Sequence, residues 1–344
     1  MSPRLHMLLG AGGVGKTTLA AGYAVALASE GRRVGLLGID PARRLQDTIG
    51  VQLADAQTAV PGVDNLAAAV VEPQRAIARW FSESVADDQA AARLARNPFF
   101  RALSDQLGTA TDVLAAVRLA EWRERDPLLT DLVVDTAPGL AAVDFLRAPA
   151  RLQALVGGRM VRWLLAAARA SQSMSAAAHR VLTSVSGVVG TAMVADLAEF
   201  FALVQAPLSA MLARLDVARR WLHAGDTRLL LVTSTHDTAA AGAVSLSRAL
   251  ASADLHPHAA IVNRTWPAAL AAELDAVPVP AAAEPFVAYV RAHATAQAAI
   301  VAAAAPLAPQ LITLPALPDI DRAGRDALAA LGATLHHHLQ RTEP

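Results

Sequence analysis

GAGGVGKTT, from Gly10 to Thr18, decides how the rest of this 344-residue chain is read. Gly10 to Thr17 fits the spacing G-x-x-x-x-G-K-[ST], between a strand-like run, LHMLL at Leu5–Leu9, and a helical pattern over Thr17–Ser29. Glycines let successive backbone N–H groups turn inward around phosphate oxygens. The start of the helix adds the positive end of its dipole, and the lysine reaches the β- and γ-phosphates. Lys16 is the one lysine among 30 basic residues. Arginine carries the positive charge everywhere else, but a planar guanidinium is too wide to sit between phosphate oxygens inside such a loop, whereas a compact ammonium fits. The Thr17 hydroxyl suits Mg²⁺.

Outward from the loop, short apolar runs alternate with helical stretches: Val34–Ile39 (VGLLGI), Leu66–Val71, Leu132–Val134, Leu229–Thr233, Ala259–Val262 and Leu311–Leu314. This alternation predicts an α/β fold, a mostly parallel twisted sheet with helices on both faces, whose ligands bind at the carboxyl ends of the strands. Four segments directly follow strands and so converge on one rim: the glycine loop, IDPARRLQD (39–47), VVDTAP (133–138) and IVNR (261–264). Asp135 suits the orientation of Mg²⁺ or its waters, with a helix N-cap as the plainer reading. Asp40 suits a place near the metal, although Asp40-Pro41 also reads as an ordinary turn, and Asp47 suits a hydrogen bond from an attacking water. The Asn263 amide suits an adenine edge. Between Arg151 and Asp226 the alternation stops and apolar residues recur at three- and four-residue steps, with Gly187, Gly190 and Pro207 as points of breakage or bending. The expectation is one P-loop domain over 1–344 with an α-helical subdomain made from about 74–125 and 151–226.

Composition narrows the function classes. With 30 basic and 30 acidic residues there is no surplus charge to favour nucleic acid. The absence of cysteine excludes disulfides, thiolate metal sites, thiol catalysis and cysteine-held iron–sulfur clusters, and with the last a reductase of the nitrogenase iron-protein type. Leu5–Leu9 is too short for the apolar part of a signal peptide. Val181–Ala195 falls short of the ~20 residues of a membrane helix, and Ala292–Pro318 is interrupted by Pro306, Pro309 and Pro315. A cytoplasmic protein is expected. Met160, Met174, Met193 and Met211 fall within 151–226, where they read as ordinary packing or as a groove for hydrophobic helices. His336, His337 and His338 read as a solvated tail.

On GAGGVGKTT (10–18), DPARRLQD (40–47), DTAPGLAAVDFLRAP (135–149) and VNR (262–264), the sequence resembles the ArsA family of P-loop ATPases over nearly its whole length. The resemblance implies ATP and Mg²⁺ as ligands. It implies a dimer in which two nucleotides face each other, with binding and hydrolysis closing and opening the helical subdomains for a hydrophobic protein client or a membrane protein. Carried over by position, Gly12, Gly13, Val14, Gly15, Lys16, Thr17 and Thr18 bind phosphate and Thr17 holds Mg²⁺. Asp47 then directs the hydrolytic water, Asp135 serves the metal, Asn263 contacts adenine and Pro315 packs on the base. Three departures qualify this. Ala11 stands where the family usually has a lysine that crosses to the partner's phosphates, and such a cation is worth roughly a thousandfold in rate. A homodimer is then slow unless Arg43 or Arg44 substitutes, or a paralogous subunit supplies the lysine in a heterodimer. Without thiolates, arsenite is not an expected ligand. The second switch lacks the Thr-Gly-His-Thr segment. A ParA- or MinD-like positioning ATPase is the alternative, but the carboxyl-terminal DALAALGATLHHHLQRTEP shows little of a membrane anchor.

Overall fold

The computed structural model describes residues 3–39, 43–73, 75–77, 80, 87–101, 111–147, 191–267, 269–276, 278–317 and 324–341. Its strands are β1 (Arg4–Gly10), β2 (Val34–Gly38), β3 (Thr58–Ala59), β4 (Leu66–Val70), β5 (Asp131–Asp135), β6 (Thr227–Ser234), β7 (Ala259–Thr265) and β8 (Gln310–Pro315). They form one sheet in the order β3-β4-β2-β5-β1-β6-β7-β8, parallel except where β3 runs against β4. Apolar residues on both faces of β1, β2 and β5 are buried, as a parallel sheet covered by helices requires. Register sets the rim: Leu8 and Gly38 both pair with Asp135, and β1 runs on to Gly10 beside Val232.

Helices α1 (Lys16–Ser29), α2 (Arg43–Ile49), α3 (Asp88–Arg96), α4 (Thr111–Arg125), α5 (Thr191–Leu222), α6 (Asp237–Ala251), α7 (Leu270–Asp275), α8 (Glu284–Ala304) and α9 (Gly324–Gln340) fall between and after the strands. None among the described residues is long and apolar enough to cross a membrane. Contacts divide the chain into two compact units, Met1–Val70 with Asp126–Asp144 and Trp221–Pro344, and Val71–Arg125 with Phe145–Arg220.

The first unit contains the whole sheet. Its core packs α1 against β1, β4 and β5 on one side and α9 on the other, so α1 is buried along nearly its whole length. The two helices meet at glycines. A methyl group at Gly332 would lie closer to the Gly22 carbonyl than side chains ever approach, and one at Gly22 would strike Leu328 O. His336, expected in a solvated tail, is instead buried on α9 and bonded to Glu30 at 3.0 Å. The reason is the spacing of Leu328, Leu331, Leu335 and Leu339, which makes this segment an amphipathic helix.

At the amino ends of the strands lies a buried polar cluster. His6 Nε2 is 2.9 Å from Asp131 Oδ1, and Arg32 donates to both Asp131 oxygens at 2.7 and 2.5 Å. The Tyr23 hydroxyl lies 3.5 Å from His6 Nδ1. Burial lowers the His6 pKa to about 4, outweighing the attraction of Asp131. Burial also raises Tyr23 to about 12. Asp131 is pushed up by desolvation, but its hydrogen bond with His6 and the charges of His6 and Arg32 bring it below the usual carboxylate value.

In the second unit, α3 is capped by Asp87, whose Oδ1 accepts from Ala90 N at 2.7 Å. Arg118 and Glu121 form a buried pair on α4, and Arg214 of α5 reaches Glu121 at 3.5 Å and Glu124 at 3.0 Å. The helix continues through Pro207, so of the break or bend expected there the break does not occur. Met211 is buried. Met160, Met174, Gly187, Gly190 and the side chain of Met193 lie outside the described residues.

Candidate functional site

β1 ends at Gly10 and α1 begins at Lys16, so the loop between them sits at the carboxyl edge of the sheet's centre. Gly15 caps the helix with φ 93°, a left-handed conformation natural to glycine. A Cβ there would also collide with Asn263 Nδ2. Gly12 and Gly13 are exposed on the loop, while Val14 is buried beneath it. Lys16 is only 7% exposed, and its Nζ donates to the carbonyls of Gly10 at 3.0 Å and Ala11 at 2.9 Å. The ammonium is thus folded back against the loop's own backbone. Thr17 and Thr18 follow, half-buried, in the first turn of α1.

The neighbouring strands brace this loop. Asp135 is 2% exposed at the end of β5, and the next residue, Thr136, donates to Leu8 O at 2.6 Å. Gly139 N donates to Gly10 O at 2.8 Å, tying the segment after Asp135 to the glycine loop. From β7, Asn263 Nδ2 donates to Val14 O at 2.9 Å and Arg264 Nη1 to Gly13 O at 3.3 Å. Asn263 therefore supports the loop through the amide that the sequence suggested for adenine.

Two pockets open beside the loop and meet at Thr18. One is lined by Gly15, Thr18, Asn263, Arg264, Pro315, Ala316, Leu317 and Leu331. The other is lined by Thr18, Asp47, Thr48, Ile49, Gly50, Gly324, Arg325 and Leu328. Four residues singled out from sequence, Gly15, Thr18, Asn263 and Pro315, share the first; Asp47, exposed on α2, faces the second. Asp40 lies outside the described residues, as does the side chain of Arg43; Arg44 is exposed. Ala11 is half-buried against the core, and a Cβ at Gly242 of α6 would lie 3.5 Å from its own.

Sequence reading missed Leu331, Arg325 and the role of Arg264. Leu331 carried a usable signal in the apolar spacing of α9. Arg264 carried none, because its placement depends on a backbone conformation that arginine rarely adopts: φ 60°, at a cost of about 1–2 kcal/mol.

Oxygen ligands are what Mg²⁺ selects, and this ion is commonly held by one or two protein groups together with substrate phosphates and waters. The Thr17 hydroxyl and Asp135 carboxylate fit that chemistry. Among the described residues no cage of three His, Asp or Glu side chains is gathered.

A parallel sheet with a glycine loop between its first strand and a helix that begins at a buried lysine defines the P-loop class of nucleotide-binding α/β proteins. Residues 4–274 match the model of the ArsA ATPase family, described as anion-transporting ATPase, and the chain belongs to that family. It is 31% identical over 150 residues to the ATPase get3 of Schizosaccharomyces pombe, covering 43% of this chain and 44% of the relative. It is 30% identical over 146 residues to the ATPase GET3 of Mycosarcoma maydis, 42% of each chain. To the arsenical pump-driving ATPase of Acidiphilium multivorum it is 29% identical over 156 residues, 43% of this chain and 26% of the relative. These matches thus span less than half the length of the curated relatives.

Proposed function

We propose that this protein binds ATP with Mg²⁺ at the 10–18 loop, hydrolyses it, and uses the cycle as a dimeric conformational switch acting on a protein or membrane partner. The observation that carries the reading is the buried Lys16 ammonium, held against the Gly10 and Ala11 carbonyls at the mouth of α1. On nucleotide binding that ammonium moves to the β- and γ-phosphate oxygens. The N–H groups of Gly12 to Thr18 close around the phosphates, with the α1 dipole behind them. Thr17 and Asp135 would hold Mg²⁺ and its waters, with Asp40 as a further carboxylate for those waters, and the ion would supply positive charge against the phosphate oxygens. Asp47 accepts a hydrogen bond from the attacking water and so fixes its direction. Asn263 keeps the loop in shape from below, and Pro315 forms a wall for the base. The names of the relatives support an ATPase. The lack of cysteine argues against arsenite capture through thiolates.

Titration with MgATP followed by phosphate release tests this. Wild type should bind and turn over ATP, Lys16→Ala should lose binding, and Asp47→Asn should bind but turn over at least about tenfold more slowly. An Asp47→Asn variant as fast as wild type would remove that residue from the water-positioning role, and a Lys16→Ala variant that still binds MgATP would remove the site. A second reading, a weakly active subunit paired with a paralogue that carries the missing lysine, is favoured by Ala11 alone. Turnover that appears only when the paralogue is mixed in distinguishes it.

A further inference from the structure

Among the described residues, the non-glycine residues with positive φ are Asn65 (61°), Asp254 (56°) and Arg264 (60°). Asparagine and aspartate tolerate this region because their short side chains bond the local backbone; arginine has no such compensation. Arg264 also lies in a bulge. Val262 pairs with Thr313 but Thr265 pairs with Pro315, so β7 carries one residue more than β8 over the same span. In a regular strand Asn263 and Arg264 would point to opposite faces of the sheet. Here both reach the same loop, at Val14 O and Gly13 O, and both line the pocket with Pro315, Leu317 and Leu331.

We propose that Arg264 is a nucleotide-binding residue whose planar guanidinium covers a face of the purine base in this pocket while Nη1 stays fastened to the glycine loop. The inference rests on the reading of the loop as an ATP site. Its chemistry favours the base over the phosphates. Pro315, Ala316, Leu317 and Leu331 give the pocket an apolar wall beside the polar Thr18 and Asn263, and a weakly hydrated, flat guanidinium stacks on aromatic faces in such surroundings. The bulge and the left-handed backbone are what aim the side chain there.

Arg264→Gly is the informative variant because glycine adopts this backbone freely, so it should fold with an unchanged or higher Tm. Calorimetry with MgATP and with magnesium tripolyphosphate, which lacks a base, separates the roles. Affinity for MgATP should fall about three- to thirtyfold in Arg264→Gly while tripolyphosphate binding stays within about twofold of wild type. Arg264→Lys should remain weakened for MgATP, because an ammonium has no planar face. Unchanged MgATP affinity in Arg264→Gly overturns the proposal, as does equal weakening toward both ligands or full recovery with lysine. A wild-type chain that binds neither ligand overturns the ATP site itself, and this inference with it.

Discussion

Gly15 meets two demands that no other residue satisfies together, since φ 93° disfavours every L side chain and Asn263 Nδ2 occupies the space a Cβ would need. Gly15→Ala should therefore cost about 1–2 kcal/mol of stability from the backbone alone. It should also displace Asn263 from Val14 O and weaken MgATP binding by at least about tenfold. Urea denaturation and calorimetry measure the two effects, and an alanine variant that binds ATP normally would contradict the bracing role of Asn263. Away from the loop, His6 makes stability depend on pH. Its folded pKa of about 4 lies below the ordinary 6.5, so between these values the unfolded chain binds more protons than the folded one. The contribution is fully present above about pH 6.5 and is lost as pH falls toward 4, at up to about 1.4 kcal/mol per pH unit. Asp131 adds in the same direction at lower pH, because its pKa is lowered too. In His6→Gln the urea-denaturation midpoint should vary less between pH 6.5 and 4.5 than in wild type; equal slopes would show that another group controls acid stability.

At the scale of elements, the crossing of α1 and α9 brings the helix that follows the glycine loop against the helix that lines the proposed base pocket. Gly22 and Gly332 let the two backbones touch, and Leu331, next to the crossing, lines the pocket that Gly15 and Asn263 share. Gly332→Ala gains helix propensity of about 1 kcal/mol, but its methyl meets backbone that cannot rotate away. The expected net result is a loss of about 1–3 kcal/mol with weaker MgATP binding, read from urea denaturation and calorimetry. An alanine variant more stable than wild type would mean that the helices separate at no cost. The apolar strands were legible in the sequence because they are continuous runs bounded by glycine or charge, but their ends were not. Asp131 and Asp135 continue the β5 ladder where apolar character stops. β3, two residues long, has no pattern to read, and it owes its existence to pairing with β4. The site was legible where chemistry fixes residue type, at Lys16 and the glycines. It was not legible where geometry decides, as in the β7 bulge that turns Arg264 toward the loop, or where α9 returns late in the chain to line the pocket beside it.

At the scale of the whole molecule, the proposed dimer turns on which group brings a cation to the far side of the phosphates. Lys16 points into its own loop, where it donates to the Gly10 and Ala11 carbonyls, and Ala11, lying half-buried near Gly242, brings no charge. Gly12 and Gly13 beside it are exposed, and nothing lies within 4 Å of the position a Cβ would take at Gly13. If two copies face each other there, as proposed, each lacks what a lysine at position 11 would deliver to its partner. Ala11→Lys should then raise ATP turnover, toward the roughly thousandfold that a cation delivered in trans can contribute. The lysine stem can lie along the small α6 surface at Gly242 while its ammonium extends outward, so the substitution should leave the fold intact. Because the added group acts on the partner, specific activity in Ala11→Lys should climb with protein concentration through the range where dimers form, while the monomer at high dilution stays as slow as wild type. Turnover that rises equally at all concentrations would place the lysine on its own nucleotide, and no rise at all would leave Arg43, Arg44 or a paralogous subunit as the source of the missing charge.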